Sequence, residues 1–170
     1  MAFKYDKHVA LLKVINFFFS YMFWSDWGKT AKIEKCSMDG ESTSRKILVS
    51  QNIIWPNGLT IDYSEDRIWW TDARFGTIES VDLNGGDRKV ALRSSRARYT
   101  FGISLFQDSI FVAKRQGGRK ILKVDKSGGK RSVTLLRYLY GPRGIVVYHP
   151  SRQPGTGQNC VLSMCLNMTE

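Results

Sequence analysis

The sequence predicts an all-β chain assembled from four-stranded antiparallel repeats, and three recurrences predict it. An aromatic strand closing on aspartate appears twice, as Phe23-Trp24-Ser25-Asp26 and Trp69-Trp70-Thr71-Asp72, with Trp24 and Trp70 46 residues apart. A glycine opening an apolar strand appears at Gly58, Gly102 and Gly144, at separations of 44 and 42 residues. A polar turn follows a strand at Met38-Asp39-Gly40, Leu83-Asn84-Gly85-Gly86 and Lys126-Ser127-Gly128-Gly129. Three landmarks in one register define a repeating unit, and a period near 40 to 45 residues belongs to stacked or radial architectures.

Taken in chain order, residues 1–20 stand apart from the repeat. Val9 to Trp24 is largely apolar behind Lys4, Lys7 and His8, in the manner of a secretion signal. Lys13, Asn16 and Ser20 interrupt it, however, and no small-x-small cleavage site follows. The run also falls short of the roughly 20 residues that span a bilayer. It reads as strand-forming, or as a wrongly assigned start, before it reads as a signal peptide. In the best-defined period, Leu59 to Asp62 alternates, Ser64-Glu65-Asp66 turns, Arg67 to Thr71 is aromatic and β-branched, and Thr77 to Leu83 alternates again. Asn84-Gly85-Gly86-Asp87 supplies a positive-φ turn into Arg88 to Leu92. Pro56 stops the preceding strand, and Asn57-Gly58 is expected to make a positive-φ bend into the next repeat. No stretch holds a 3.6-residue apolar period over three turns, which disfavours helical repeats. Four short strands per period are the signature of a β-propeller blade.

With 170 residues, 42% hydrophobic and 12% aromatic, the chain has material for one globular domain, and disorder along its whole length is excluded. Its net charge of +11 is unevenly placed. Met1 to Asp87 carries 10 basic and 12 acidic residues, whereas Arg88 to Gln153 carries 16 and 2. These cations are interleaved with apolar positions in strand-like alternation, so they decorate a folded surface that attracts anionic partners. Three cysteines make no disulfide scaffold, and no paired CxxC suggests zinc. Cys36 is expected as a buried thiol on an inner strand. The chain lacks GxGxxG, GxxxxGK[ST], GxSxG and HExxH, and neither His8 nor His149 has a Ser or Cys partner that the sequence can place. No catalytic residue, cofactor or metal is expected.

FWSDWG, WPNGLTIDYSEDRIWWTD, DLNGGDR and GPRGIVVYHPSRQP, followed by Cys160, resemble the YWTD repeats of the low-density lipoprotein receptor and its related proteins. The resemblance implies a YWTD-type six-bladed β-propeller, of which residues 21–153 supply about three blades. It also implies an epidermal-growth-factor-like module whose truncated start is residues 154–170. The third repeat departs from the pattern, reading Phe111-Val112-Ala113-Lys114 where the family has its aromatic strand and aspartate. The implied function is a non-catalytic ligand-binding and ligand-release module of a larger single-pass endocytic or signalling receptor. That receptor would face outward from the plasma membrane and pass through the secretory and endosomal pathway, with its membrane anchor elsewhere. A glycosylation sequon at Asn167-Met168-Thr169 fits secretion. The resemblance further implies acid-dependent release through histidines, a role that neither His8 nor His149 can be assigned.

Blade topology places the binding residues. Loops joining the second strand to the third, and the fourth to the next first, share one face of a propeller. That face is expected to collect Lys29, Arg74, Arg96, Arg98, Lys114, Arg115, Arg119, Arg137 and Arg143 around Tyr99, Phe101 and Tyr140. Loops on a rigid scaffold are where binding concentrates, and arginine with aromatics is a mixture that binding faces favour. Asp26 and Asp72 at its margin are expected to accept backbone N–H groups and tie blade to blade. In the Wnt co-receptor branch of the family a matching WPNG loop contacts peptides, which implies that Trp55 and Asn57 do so here; the alternative is that Trp55 packs under the central channel. Expected partners are protein ligands or the receptor's own acidic repeats, with heparan-sulfate-like polyanions also possible. Nucleic acid is not expected for want of a recognised module. The alternative functions are a Wnt co-receptor-type peptide-binding propeller and a lactonase-type, calcium-dependent hydrolase propeller. The hydrolase needs several inward carboxylates, and only Asp26 and Asp72 stand in corresponding places.

Overall fold

A computed structural model describes residues 12–16, 21–39, 42–128 and 132–149; His8, Pro150, the two C-terminal cysteines, Asn167 and the expected growth-factor-like start lie outside them. The described strands form three antiparallel sheets in which chain order is spatial order. The first joins β1 (Leu12–Asn16), β2 (Tyr21–Asp26), β3 (Lys32–Ser37) and β4 (Lys46–Val49). The second joins β5 (Pro56–Asp62), β6 (Arg67–Asp72), β7 (Thr77–Asp82) and β8 (Lys89–Arg93). The third joins β9 (Thr100–Phe106), β10 (Ser109–Lys114), β11 (Lys120–Asp125) and β12 (Val133–Leu136). Strands β1, β5 and β9 lie side by side, so the first strand of each sheet is innermost and the three sheets are successive propeller blades. The first blade takes its inner strand from Leu12–Asn16, with Val14 opposite Phe23. The repeat therefore begins ahead of residue 21, and part of the N-terminal apolar run is strand.

Alternation along these strands does not sort core from solvent. All seven residues of β5 and all six of β6 are buried, because a central blade is covered on both sides. What alternates is the neighbour. Trp70 packs with Phe23, Ile33, Val49 and Leu59 toward the first blade. Trp69, one residue earlier, packs with Ile103, Val112 and Leu122 toward the third. The Trp69-Trp70 step thus fills two seams, and burying such side chains contributes roughly 2–3 kcal/mol apiece.

Gly58 is not the positive-φ bend that the sequence predicts. It lies within β5, absent from the left-handed positions of this chain. A Cβ there would stand 2.4 Å from the Phe101 carbonyl oxygen, so glycine is required for the close approach of neighbouring inner strands. Gly102 repeats the role: its Cβ would meet the Arg143 oxygen at 2.8 Å and the Ile145 nitrogen at 2.9 Å. Residues 142–149, although not a regular strand, accordingly run beside β9, where Val147 N–H donates to Ser104 Oγ at 3.0 Å. The His149 ring contacts Phe106 there in a tilted arrangement, with centroids 4.8 Å apart, at an exposed edge. The turn glycine Gly85 does have a positive φ of 93°, and it rests against the Leu48 oxygen of the preceding blade. Cys36 falls on β3, the third strand of its blade rather than an inner one; it is half-buried with Sγ 3.1 Å from Ser44 Oγ.

Candidate ligand-binding face

A ladder of backbone hydrogen bonds ties the two loop classes onto one face. Ala73 N–H donates to the Trp55 oxygen (2.9 Å), Tyr99 N–H to the Ala73 oxygen (3.1 Å) and Arg115 N–H to the Tyr99 oxygen (3.1 Å). Farther along, Leu139 N–H donates to the Arg119 oxygen at 3.1 Å. Asp72 fixes the middle of this face. Its Oδ2 accepts from Ile54 and Trp55 N–H (2.7 and 3.2 Å), and its Oδ1 from Arg74 and Phe75 N–H (2.9 and 3.0 Å). One buried carboxylate therefore holds the loop arriving from the first blade and its own blade's loop together. Asp26 Oδ1 receives Gly28 N–H at 2.8 Å in the equivalent loop.

In the third blade the polarity is inverted. Lys114 stands at the strand end where the others have aspartate, and it is only 5% exposed. Its Nζ donates to the backbone oxygens of Arg96 (2.9 Å) and Ser95 (3.3 Å). Burial, and then the charge of Lys120, pulls its pKa below the ordinary lysine value. Lys114 is thus a structural tie rather than a cation offered to a partner. Asn57 is likewise withdrawn from the surface: it is 5% exposed, and its side-chain amide donates to the Thr100 oxygen at 3.0 Å, joining the second and third blades. Trp55 is 36% exposed, edge-on to Trp27 with centroids 6.4 Å apart, and the Arg74 guanidinium lies 5.8 Å from its ring.

Five of the remaining predicted residues, Arg74, Arg98, Arg115, Arg119 and Tyr140, line two hollows. One, of about 750 Å³, is lined by Ile54, Arg74, Phe75, Arg93, the serines Ser94 and Ser95, and Arg98. The other, of about 730 Å³, lies between Arg115–Arg119 and Tyr138–Gly141. Here Arg119 sits 5.8 Å from the Tyr140 ring, while Arg115 lies 5.6 Å from Phe101. Arg96, Tyr99 and Arg143 are exposed on the same loops. Among the described residues none of Arg74, Arg93, Arg96, Arg98, Arg115, Arg119 and Arg143 forms an ion pair with a carboxylate.

The opposite face sets carboxylates beside its cations. Its turns carry Asp62, Glu65, Asp82, Asp87 and Asp125, and three cations there are ion-paired: Lys126 with Asp62 and with Glu65 (3.5 Å), Arg67 and Lys89 with Asp87 (2.8 and 2.9 Å). Burial alone would raise the Asp62 pKa, but hydrogen bonds from Lys126 and Ser64 outweigh it and hold this carboxyl below the ordinary range. Among the described residues, the arginines without a carboxylate partner are thereby gathered on the loop face.

Sequence reasoning missed Trp27 and Arg93, whose roles depend on which loops converge. It also missed a repeated clamp, although that one was legible as Ile33-Glu34 with Arg45-Lys46 and Ile78-Glu79 with Arg88-Lys89. Arg45 Nε meets Glu34 Oε1 at 2.9 Å beside Trp24, and Arg88 Nε meets Glu79 Oε2 at 2.7 Å beside Trp70. Arg88 also donates to the Gln51 and Asn52 oxygens across the blade seam.

Residues 20–63 match the family model for the low-density lipoprotein receptor repeat class B. The chain is 34% identical over 149 residues to the vitellogenin receptor Yl of Drosophila melanogaster, and 31% identical over 144 residues to the vitellogenin receptor of Solenopsis invicta. These alignments cover 86% and 85% of this chain but only 7% and 8% of the relatives' lengths. Among solved structures, a chain of a nidogen–laminin complex superposes with a TM-score of 0.70 at 19% identity, covering 81% of this chain and 52% of that one. Virginiamycin B lyase from Staphylococcus aureus superposes with a TM-score of 0.64 at 19% identity, covering 83% and 46%. At such identities the two structures speak for the propeller fold alone.

Proposed function

The chain belongs to the YWTD-repeat propellers of the low-density lipoprotein receptor family, and on that premise we propose that it is a non-catalytic ligand-binding module on the extracellular side of an endocytic receptor. Protein ligands bind across the loop face, and release follows when the receptor reaches the endosomal pathway. The observation that carries this reading is the segregation of charge: seven arginines without carboxylate partners among the described residues share the loop face with Trp55, Tyr99 and Tyr140, whereas at the opposite turns Arg67, Lys89 and Lys126 pair with aspartates. Such a field steers an acidic partner and raises its on-rate, while the aromatics supply desolvated contact area. Of the two carboxylates that stand where a hydrolase of this architecture would need them, Asp72 is committed, because both its oxygens accept backbone N–H groups.

Vitellogenin, for which the insect relatives are named, is the first ligand to titrate against the immobilised chain. Binding is expected, and it should fall at least about tenfold in a Trp55→Ser, Arg115→Ser, Arg119→Ser variant, since central aromatic and arginine anchors carry most of an interface's energy. A parallel assay supplies calcium with lactone and ester substrates. Calcium-dependent turnover without ligand binding would overturn the receptor reading.

A further inference from the structure

We propose that the hollow on the second blade, built by Arg74, Arg93 and Arg98, is a recognition site for a sulfate group carried on an extracellular polysaccharide. This inference rests on reading the loop face as a surface for anionic partners and assigns one of those partners to one place.

The three guanidinium groups arrive from different elements onto one hollow. Arg74 follows directly on β6, and its own N–H is held by Asp72. Arg93 ends β8. Arg98 closes a short turn, and its stem lies over Gly76: a Cβ on that glycine would stand 2.9 Å from Arg98 Cγ and 2.5 Å from the Ser94 oxygen. Gly76 has a φ of +69°, Gly76 N–H donates to the Asp72 oxygen at 2.8 Å, and Ser94 N–H donates to the Gly76 oxygen at 2.9 Å. The backbone beneath the arginines is therefore fixed before any ligand arrives, which lowers the entropic cost of binding.

No carboxylate among the described residues neutralises this trio, whereas Arg67, Lys89 and Lys126 on the other face are paired. Planar guanidinium forks match the oxygens of a sulfate, and several together suit a ligand with several charges. Size favours a sugar-borne group over a single modified side chain. A hollow of about 750 Å³ holds a sulfated saccharide unit, with Ile54 and Phe75 offering apolar floor to the ring. An acidic protein segment is the competing occupant, and the test separates the two.

The full chain is titrated with a defined heparin hexasaccharide, with the same oligosaccharide after desulfation, and with poly-glutamate. The hexasaccharide is expected to bind, desulfation to weaken it at least about tenfold, and Arg74→Ser, Arg93→Ser, Arg98→Ser to produce a similar loss. An Arg115→Ser, Arg119→Ser control should lose less than about threefold. Because the triple serine variant could misfold, a triple lysine variant provides the second arm. It keeps the charge and removes the forks, and should still lose severalfold for the hexasaccharide while binding poly-glutamate like the parent. Equal binding of sulfated and desulfated sugar, or parental binding by the lysine variant, overturns the proposal. Poly-glutamate that binds more tightly than the hexasaccharide and depends on the same three arginines assigns the hollow to an acidic protein and overturns it too. Vitellogenin binding that persists when the hexasaccharide fails to bind leaves the receptor reading standing and removes only this one.

Discussion

At Asp72 a single carboxylate satisfies four backbone N–H groups in two loops. Asp72→Ala leaves these four part-buried donors without their acceptor and is expected to cost about 2 kcal/mol, read as a drop in unfolding midpoint, with Asp72→Asn recovering part of it. The sequence made Asp72 legible as a tie because a strand-end aspartate recurs. It did not make Lys114 legible, since an inverted tie that donates to the Ser95 and Arg96 oxygens leaves only a lysine in a basic stretch. Asn57 was misread for a related reason: a polar residue in a turn-like motif looks exposed until the neighbouring strand claims its amide. Asp62 gives the pH dependence. Its folded carboxyl lies below the ordinary value, so its contribution is present above the unfolded pKa of about 3.9 and is lost as pH falls through the depressed folded value. Asp62→Asn should therefore be less stable than the parent at about pH 6, and the gap should narrow as pH falls below the unfolded value. A gap that is constant with pH would remove the Lys126–Asp62 pair from the account.

At the scale of elements, the strands were legible almost throughout the second blade, because aromatic and β-branched runs are punctuated by turn residues. Arg67–Asp72 and Thr77–Asp82 fall where those runs fall. Burial was less legible. A two-residue alternation normally separates core from solvent, but between stacked blades both faces are core, and Trp69 and Trp70 serve opposite seams. Gly58 shows the same limit, since the need for glycine comes from a strand 43 residues away in sequence and not from local backbone: a Cβ would stand 2.4 Å from the Phe101 oxygen. Gly58→Ala is expected to destabilise by about 2–3 kcal/mol through overpacking. Gly141→Ala, where no neighbour lies within 4 Å of a Cβ but φ is +58°, should cost about 1 kcal/mol from the left-handed backbone alone. Paired chemical denaturation of the two variants checks the order; equal losses would mean that the inner strands yield.

At the scale of the whole molecule, Val133, Leu135, Leu136, Val146 and Tyr148 are exposed along the third blade and the segment beside it. Two neighbouring seams bury such positions, for example Val49 and Leu92. The isolated chain is accordingly expected to self-associate, and to become monodisperse when further blades are joined to it; light scattering on both forms decides this. The surface charge was legible in kind, because the sequence already separated a basic later half from a balanced first half. Its segregation among the described residues was not, because it rests on the turns pairing cations of their own, as Arg67 and Lys89 do with Asp87. The most direct measurement of the central claim is elution from a heparin column in blade-completed protein. Arg96, Arg98, Arg115 and Arg119 are replaced together by serine, against a control replacing Lys46, Lys89 and Lys123 beside the opposite turns. Elution of the loop-face variant at clearly lower salt, with a shallower dependence of affinity on salt and the control close to the parent, is the predicted result. Elution of the loop-face variant with the parent, or a larger shift in the control, would contradict the assignment of binding to the loop face.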